Sequence, residues 1–205
     1  MSDTTATPSP GASSGLRGQS AGETALCTVG QTGSGLRYRG YDLEDLAAHA
    51  SFEEVAYLLL KGKLPNREEL DAYIARLKGL RGLPDALKAV LEQIPASAHP
   101  MDVMRTGCSM LGNLETEESF DEQSDQADRM LAVFPSIINY WYRFSHDGVR
   151  IDTETDDDSI GAHFLHLLHG ETPSELHAAV MNTSLILYAE HEFNASTFTA
   201  RVCAS

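Results

Sequence analysis

The sequence predicts an all-α fold, a multi-helical domain led by a short N-terminal β-hairpin, and three observations carry that prediction. From Asp42 onward apolar residues recur at helical spacing in segment after segment. Two of those segments open with capping-box spacing, Ser51 with Glu54 and Asn66 with Glu69. No β-branched runs alternate with the helices, which excludes a doubly wound sheet, and no fixed-period self-similarity points to a solenoid.

A chain of 205 residues, 42% hydrophobic, is long enough to bury one sizeable core. Fifteen basic against thirty acidic side chains leave a net charge of −15, a field that repels nucleic acid and anionic membrane surfaces. No window approaches the roughly 18 apolar residues of a membrane helix. Residues 1–22 are rich in Ser, Thr, Gly, Ala and Pro without the apolar centre of a secretory signal, and read as a disordered arm. Cys27, Cys108 and Cys203 are too scattered for a disulfide framework, which favours a reducing, cytoplasmic compartment.

The elements follow in order. Leu26 to Tyr41, with Gly30, Gly33, Gly35 and Gly40 around Leu36, Tyr38 and Tyr41, fits a hairpin, and its glycines match no nucleotide-binding fingerprint. Phe52, Val55, Ala56, Leu58, Leu59 and Leu60 give a wide apolar face that ends at Gly62 and Pro65. Leu70, Tyr73, Ile74 and Leu77 form the next, up to a break over Gly79 to Pro84. Ala86 to Ile94 follows, and Pro100 then opens another helix at a position where its missing N–H is harmless. Ala127 to Phe144 is apolar on most sides and should lie deep in the core, kinked at Pro135. Ser159 to His169, Ser174 to Glu190 and Ala195 to the end complete the set. The apolar pattern of Phe198, Ala200, Val202 and Cys203 is still running at Ser205, so the chain is expected to stop within a helix.

Seven carboxylates and no base lie between Glu115 and Asp128, and five more acids between Asp152 and Asp158; both runs read as solvated. His163, His166 and His169 stand three apart, so on a helix they fan over about 120° and climb about 9 Å. Adjacent pairs of them suit a metal, but the interleaved carboxylate of a hydrolytic helix site is missing, and hydrogen-bonded histidines on a partly buried helix are the simpler reading. His191 follows an apolar helix between Glu190 and Glu192, which are placed to orient its ring or to favour its protonated form. Asn194, Ser196 and Thr197 begin the next helix beside it, and an imidazole at a helix N-terminus suits a small dicarboxylate or oxo-acid. Asp102 and Arg105 at i, i+3 read as a surface ion pair, and Arg76 as a solvated base.

Several segments taken together resemble the citrate synthase family, in the family's order. They are Leu36-Arg37-Tyr38-Arg39-Gly40-Tyr41-Asp42, Phe52 to Leu59, Gly62-Lys63-Leu64-Pro65, His99 to Gly107 and His191-Glu192-Phe193-Asn194-Ala195-Ser196-Thr197-Phe198. The opening Gly22 to Gly30, Thr155 to Gly161 and His163 to Glu171 are most similar to its 2-methylcitrate synthase branch. The resemblance implies a large helical domain over residues 23–205, cut before the small domain, in a protein that works as a homodimer. It implies condensation of oxaloacetate with propionyl-CoA, or alternatively acetyl-CoA, by acid/base chemistry on a carbon acid, with no cofactor beyond the acyl-CoA substrate. His191 matches the oxaloacetate-binding histidine, and Arg76 a substrate-contacting base. The enol-stabilising histidine, catalytic carboxylate, CoA loop and clamping arginines of the family have no counterpart before Ser205, so no catalytic residue is expected within these residues and the chain alone should be inactive. The alternatives from other classes are a non-catalytic helical binding module and a metal-dependent helical protein built on His163, His166 and His169.

Overall fold

A computed structural model describes residues 22–30 and 35–204. The arm expected over residues 1–22 lies outside the described residues, apart from Gly22. Where a hairpin was expected, three two-residue strands form an antiparallel sheet: β1 (Cys27–Thr28), β2 (Arg37–Tyr38) and β3 (Tyr41–Asp42), in the order β1-β2-β3. The extra pairing comes from a tight turn between β2 and β3. Its two central residues, Arg39 (φ 46°) and Gly40 (φ 91°), are both left-handed, which suits the right-handed twist of the strands they join. Arg39 is held there because its guanidinium donates twice to the Leu59 carbonyl, at 3.2 and 2.8 Å.

The helices follow in sequence order. α1 (Leu43–His49) is capped by Asp42, and α2 (Phe52–Lys61) and α3 (Arg67–Gly79) both carry the reciprocal capping boxes that the sequence predicts. α2 stops at Gly62, whose φ of 90° is the left-handed cap that glycine adopts without strain. α4 (Asp85–Leu91) begins one residue before the expected Ala86 and ends short of the expected Ile94, and α5 (Pro100–Leu114) starts on its proline as predicted. A single 3-10 turn (Phe120–Glu122) leads into α6 (Gln123–Asp147), followed by α7 (Ile160–His169), α8 (Glu175–Leu187) and α9 (Ala195–Ala204).

α6 is the wall between two cores. On one side Ala132 joins Cys27, Tyr38, Leu46, Phe52, Val55, Leu58, Tyr73, Leu77, Ile160 and Ile186. On the other, Val133, Ile137, Tyr140 and Trp141 pack with Leu83, Leu87, Leu91, Val103 and Leu111. Burying each such side chain contributes about 1.5–3 kcal/mol, so a helix that is apolar on most sides is driven between two layers. Pro135 does not interrupt it. The proline is buried, and Asn139 Nδ2 donates to its carbonyl at 2.9 Å and to that of Phe164 at 3.3 Å, joining α6 to α7.

Both acidic runs contain buried structure. Asp128, 1% exposed, accepts from Tyr73 Oη at 3.1 Å, Arg76 Nε at 3.0 Å and Lys61 Nζ at 3.3 Å, so one carboxylate fastens α2 and α3 to α6. The Asp152 to Asp158 segment wraps Arg81, which is 1% exposed in the α3–α4 link. Arg81 Nη1 donates to the carbonyls of Thr155 (2.9 Å) and Asp157 (2.7 Å), and Lys78 Nζ reaches the Asp156 carbonyl at 2.7 Å. Close beneath, the buried Glu53 carboxylate accepts from the Ile160 amide at 2.8 Å, holding the start of α7 on α2. Burial pushes the Glu53 carboxyl up, and the nearby Arg81 charge works against that shift. The expectation of two solvated runs holds for most of their acids and fails at Asp128 and Asp157, where basic side chains from other elements reach in.

α5 and α6 meet at Gly107, where an added Cβ would lie 2.5 Å from Ile137 Cγ2. We expect Gly107→Ala to lower stability in urea unfolding: overpacking costs about 1–3 kcal/mol, which outweighs the helix-propensity gain of about 1 kcal/mol. An unchanged or higher midpoint would show that the two helices part easily.

Candidate functional site

The structure holds the turn that carries His191 against the small sheet. Tyr38, fully buried on β2, donates its hydroxyl to the Ile186 carbonyl at 3.0 Å and accepts from the Glu190 amide at 3.3 Å. Cys27 on β1 accepts from the Glu192 amide at 3.0 Å, and its thiol contacts Glu190 Oε1 at 3.7 Å. Burial pushes the Cys27 thiol up, with the Glu190 and Glu192 charges adding to the shift, so the group stays protonated and keeps its donor. Glu192 sits at φ 57°, a left-handed conformation that costs a non-glycine residue roughly 1–2 kcal/mol.

His191 is exposed between these two tethered residues, and among the described residues no hydrogen bond or ion pair engages its ring. The expectation that Glu190 orients the imidazole is corrected: that carboxylate turns to Cys27 instead. α9 begins a few residues on, with Asn194 Oδ1 accepting from the Thr197 amide at 2.9 Å. Arg201 stacks on Phe193, 4.9 Å from the ring centroid, and donates to the Glu23 carbonyl at 3.3 Å, which ties α9 back to the segment that leads into β1. The result is an exposed imidazole next to the N-terminus of a ten-residue helix, an arrangement that supplies hydrogen-bond donors and a favourable dipole to a small anion.

Arg76 lies elsewhere in the fold. Its Nε and Nη2 donate to Asp128 (3.0 Å) and Asp125 (2.8 Å), so the guanidinium that was expected to be a solvated base or a substrate contact is engaged by α6. Asp102 and Arg105 form the expected surface pair at 3.1 Å.

The three histidines of α7 do not converge on one point. His163, fully buried, lies between Ser136 Oγ (3.2 Å from Nε2) and Thr155 Oγ1 (2.9 Å from Nδ1). Thr155 donates to Asp157 at 2.5 Å, so its oxygen accepts from His163 Nδ1–H and leaves Nε2 to accept from Ser136. His166 Nδ1 meets the same Asp157 oxygen at 2.8 Å, and His169 is exposed. The metal alternative therefore loses its ligand set, and among the described residues no group of three or more His, Cys, Asp or Glu is placed to hold a metal ion. Sequence reasoning missed Glu53, Arg81 and Asp128, and it missed the part that Cys27 and Tyr38 play at the His191 turn. Only Tyr38 left a local signal, as an apolar position alternating in the strand.

The fold is that of the citrate synthases, and the chain belongs to that family: the family profile described as "Citrate synthase, C-terminal domain" matches residues 15–205. It is 78% identical to the 2-methylcitrate synthase of Shewanella oneidensis over 93% of this chain and 51% of that protein. The 2-methylcitrate synthase of Mycobacterium tuberculosis is 38% identical over 96% and 50%. Among solved structures, the citrate synthase of Thermoplasma acidophilum, a ternary complex with carboxymethyl coenzyme A and oxaloacetate, superposes with a TM-score of 0.84 at 30% identity, over 92% of this chain and 50% of that one. The chain thus spans about half the length of the relatives it matches.

Burial holds the His163 imidazole neutral, its pKa pulled down from 6.5 to about 3, with the Arg81 charge acting in the same direction. Below pH 6.5 the unfolded chain binds a proton that the folded chain refuses, so this group takes stability away as pH falls from 6.5 towards 3 and is without effect above 6.5. In His163→Gln, unfolding free energy measured against pH should lose up to about 1.4 kcal/mol per pH unit of slope across that window, and an unaltered slope would refute the assignment. Asp128→Ala should cost about 1–3 kcal/mol, because it removes the carboxylate that Lys61, Tyr73 and Arg76 share and leaves the buried Tyr73 hydroxyl without its acceptor, while the two part-exposed cations turn to water. A loss below about 1 kcal/mol in chemical denaturation, typical of surface pairs, would show that the buried carboxylate is not a structural hub.

Proposed function

We propose that these residues form part of a 2-methylcitrate synthase, which condenses propionyl-CoA with oxaloacetate and water to give 2-methylcitrate and free CoA. The observation that carries this reading is the 78% identity to the Shewanella oneidensis enzyme over 93% of the chain. In this reading the exposed His191 and the N-terminal donors of α9 contact oxaloacetate, where an imidazole N–H and a helix dipole together favour a dicarboxylate. Arg76, the other candidate contact, would have to leave Asp125 and Asp128 to reach substrate, so its proposed task is to hold α3 on α6. The enzyme takes no cofactor besides its acyl-CoA substrate, works as a homodimer and serves propionate breakdown in the cytoplasm.

A second reading, citrate synthase with acetyl-CoA, is favoured by the Mycolicibacterium smegmatis citrate synthase, 38% identical to this chain and 55% covered by it. The two substrates differ by one methylene, which a pocket reads at only about 1–3 kcal/mol.

Since the resemblance puts the carboxylate that removes the α-proton beyond these residues, the 205-residue chain should release no CoA from propionyl-CoA and oxaloacetate in a thiol assay. Oxaloacetate alone should shift the His191 ring signals in NMR, and His191→Ala should abolish its binding. CoA release by the purified chain, or His191 signals that ignore oxaloacetate, would overturn the respective part of the reading.

A further inference from the structure

We propose that Cys27 and Tyr38 are positioning residues, which act on oxaloacetate binding by fixing the turn that presents His191. The inference rests on the reading of His191 as a substrate contact, and it names residues of this chain that set the geometry of that contact. The residues on either side of the histidine are held by different strands. The Glu190 amide goes to the Tyr38 hydroxyl on β2, and the Glu192 amide goes to the Cys27 sulfur on β1. β1 and β2 are themselves paired, Cys27 facing Tyr38, so the two tethers form one unit.

Tyr38 uses both capacities of its hydroxyl. It donates to the Ile186 carbonyl in the last turn of α8 and accepts from the chain just before His191. α8 therefore ends, and the turn begins, on the same atom. Cys27 acts on the other side of the histidine, where its hydrogen bond secures Glu192 in the left-handed conformation that a non-glycine residue resists. Both polar atoms belong to buried residues, Tyr38 0% and Cys27 3% exposed, so water competes poorly for them, whereas His191 itself is exposed. A rigid backbone on each side of an unengaged ring is the arrangement that presents an imidazole to a small ligand at low ordering cost.

The test uses the isotopically labelled 205-residue chain and three variants: Tyr38→Phe, Cys27→Ala and Cys27→Ser, of which the last keeps a donor and an acceptor. Amide exchange at Glu190 and Glu192, His191 ring shifts and affinity for oxaloacetate are read for each. Tyr38→Phe should speed Glu190 exchange, and Cys27→Ala Glu192 exchange, by about tenfold while the rest of α8 and α9 is unchanged. Each should move the His191 shifts and weaken oxaloacetate binding several-fold, and Cys27→Ser should recover most of both losses. Unchanged exchange and His191 shifts would overturn the proposal. So would uniformly faster exchange along α8 and α9, which would make the pair a general support of the fold. If Tyr38→Phe fails to fold, the Cys27 pair decides by the same criteria. Failure of the wild-type chain to bind oxaloacetate would overturn the assignment of His191 as substrate contact, and the proposed effect on binding with it; local exchange and His191 shifts would then decide only whether the two residues fix the turn.

Discussion

The arrangement of the helices depends on a guanidinium placed where water cannot reach it. Arg81 is 1% exposed, and an arginine so buried persists only if the surrounding chain supplies acceptors. That requirement bends residues 155–159 around it, because their carbonyls are the acceptors. The bent segment then fixes the start of α7: Thr155 and Asp157 hold His163 and His166 on it, and Glu53 from α2 accepts the Ile160 amide. Once α7 is set, its position sets α8, since Gly161 lets the two helices approach until an added Cβ would lie 3.2 Å from Met181 Cγ. The candidate site is the far end of this chain of constraints, reached where α8 runs into the Tyr38 hydroxyl.

A second pattern is the use of carboxylates as internal fasteners in a very acidic chain. A net charge of −15 destabilises a compact state through self-repulsion. The structure relieves it locally by bringing its few bases to the densest acid. Asp128 gathers Lys61 and Arg76, and Arg129 clamps Glu115 through two bonds of 2.8 and 2.7 Å. Lys78 reaches the Asp156 to Asp158 stretch in the same way. The pairs that are buried on the carboxylate side, such as those at Asp128, act as fold-determining contacts; the exposed ones, such as Asp102 with Arg105, contribute little.

α8 and α9 differ from the helices before them. α8 has Ile186 as its buried residue, with Leu176, Val180 and Leu187 and the following Tyr188 exposed, and among its described residues α9 has none buried. The turn between them is nevertheless well tied, by Tyr38 and Cys27 on one side and by Arg201 with Glu23 and Phe193 on the other. Order at the His191 turn comes from hydrogen bonds to the sheet more than from apolar burial of the helices that flank it.

The sequence alone determined the features that depend on neighbours along the chain. Both capping boxes, the proline start of α5, the glycine stop of α2 and the two-sided apolar character of α6 are local consequences of residue type and period. The position of His191 just before α9 was legible for the same reason, and the ordered segments were specific enough to give the family. Only the tertiary structure decided what Arg76, Arg81, Asp128, Cys27 and Tyr38 do. Each acts on a partner tens of residues away or more, from Arg76 with Asp128 to Cys27 with Glu192. A charge in a loop or an acid in a run has the same sequence signature whether it faces water or a buried counter-charge. The difference is made by desolvation, which exists only once the helices have packed.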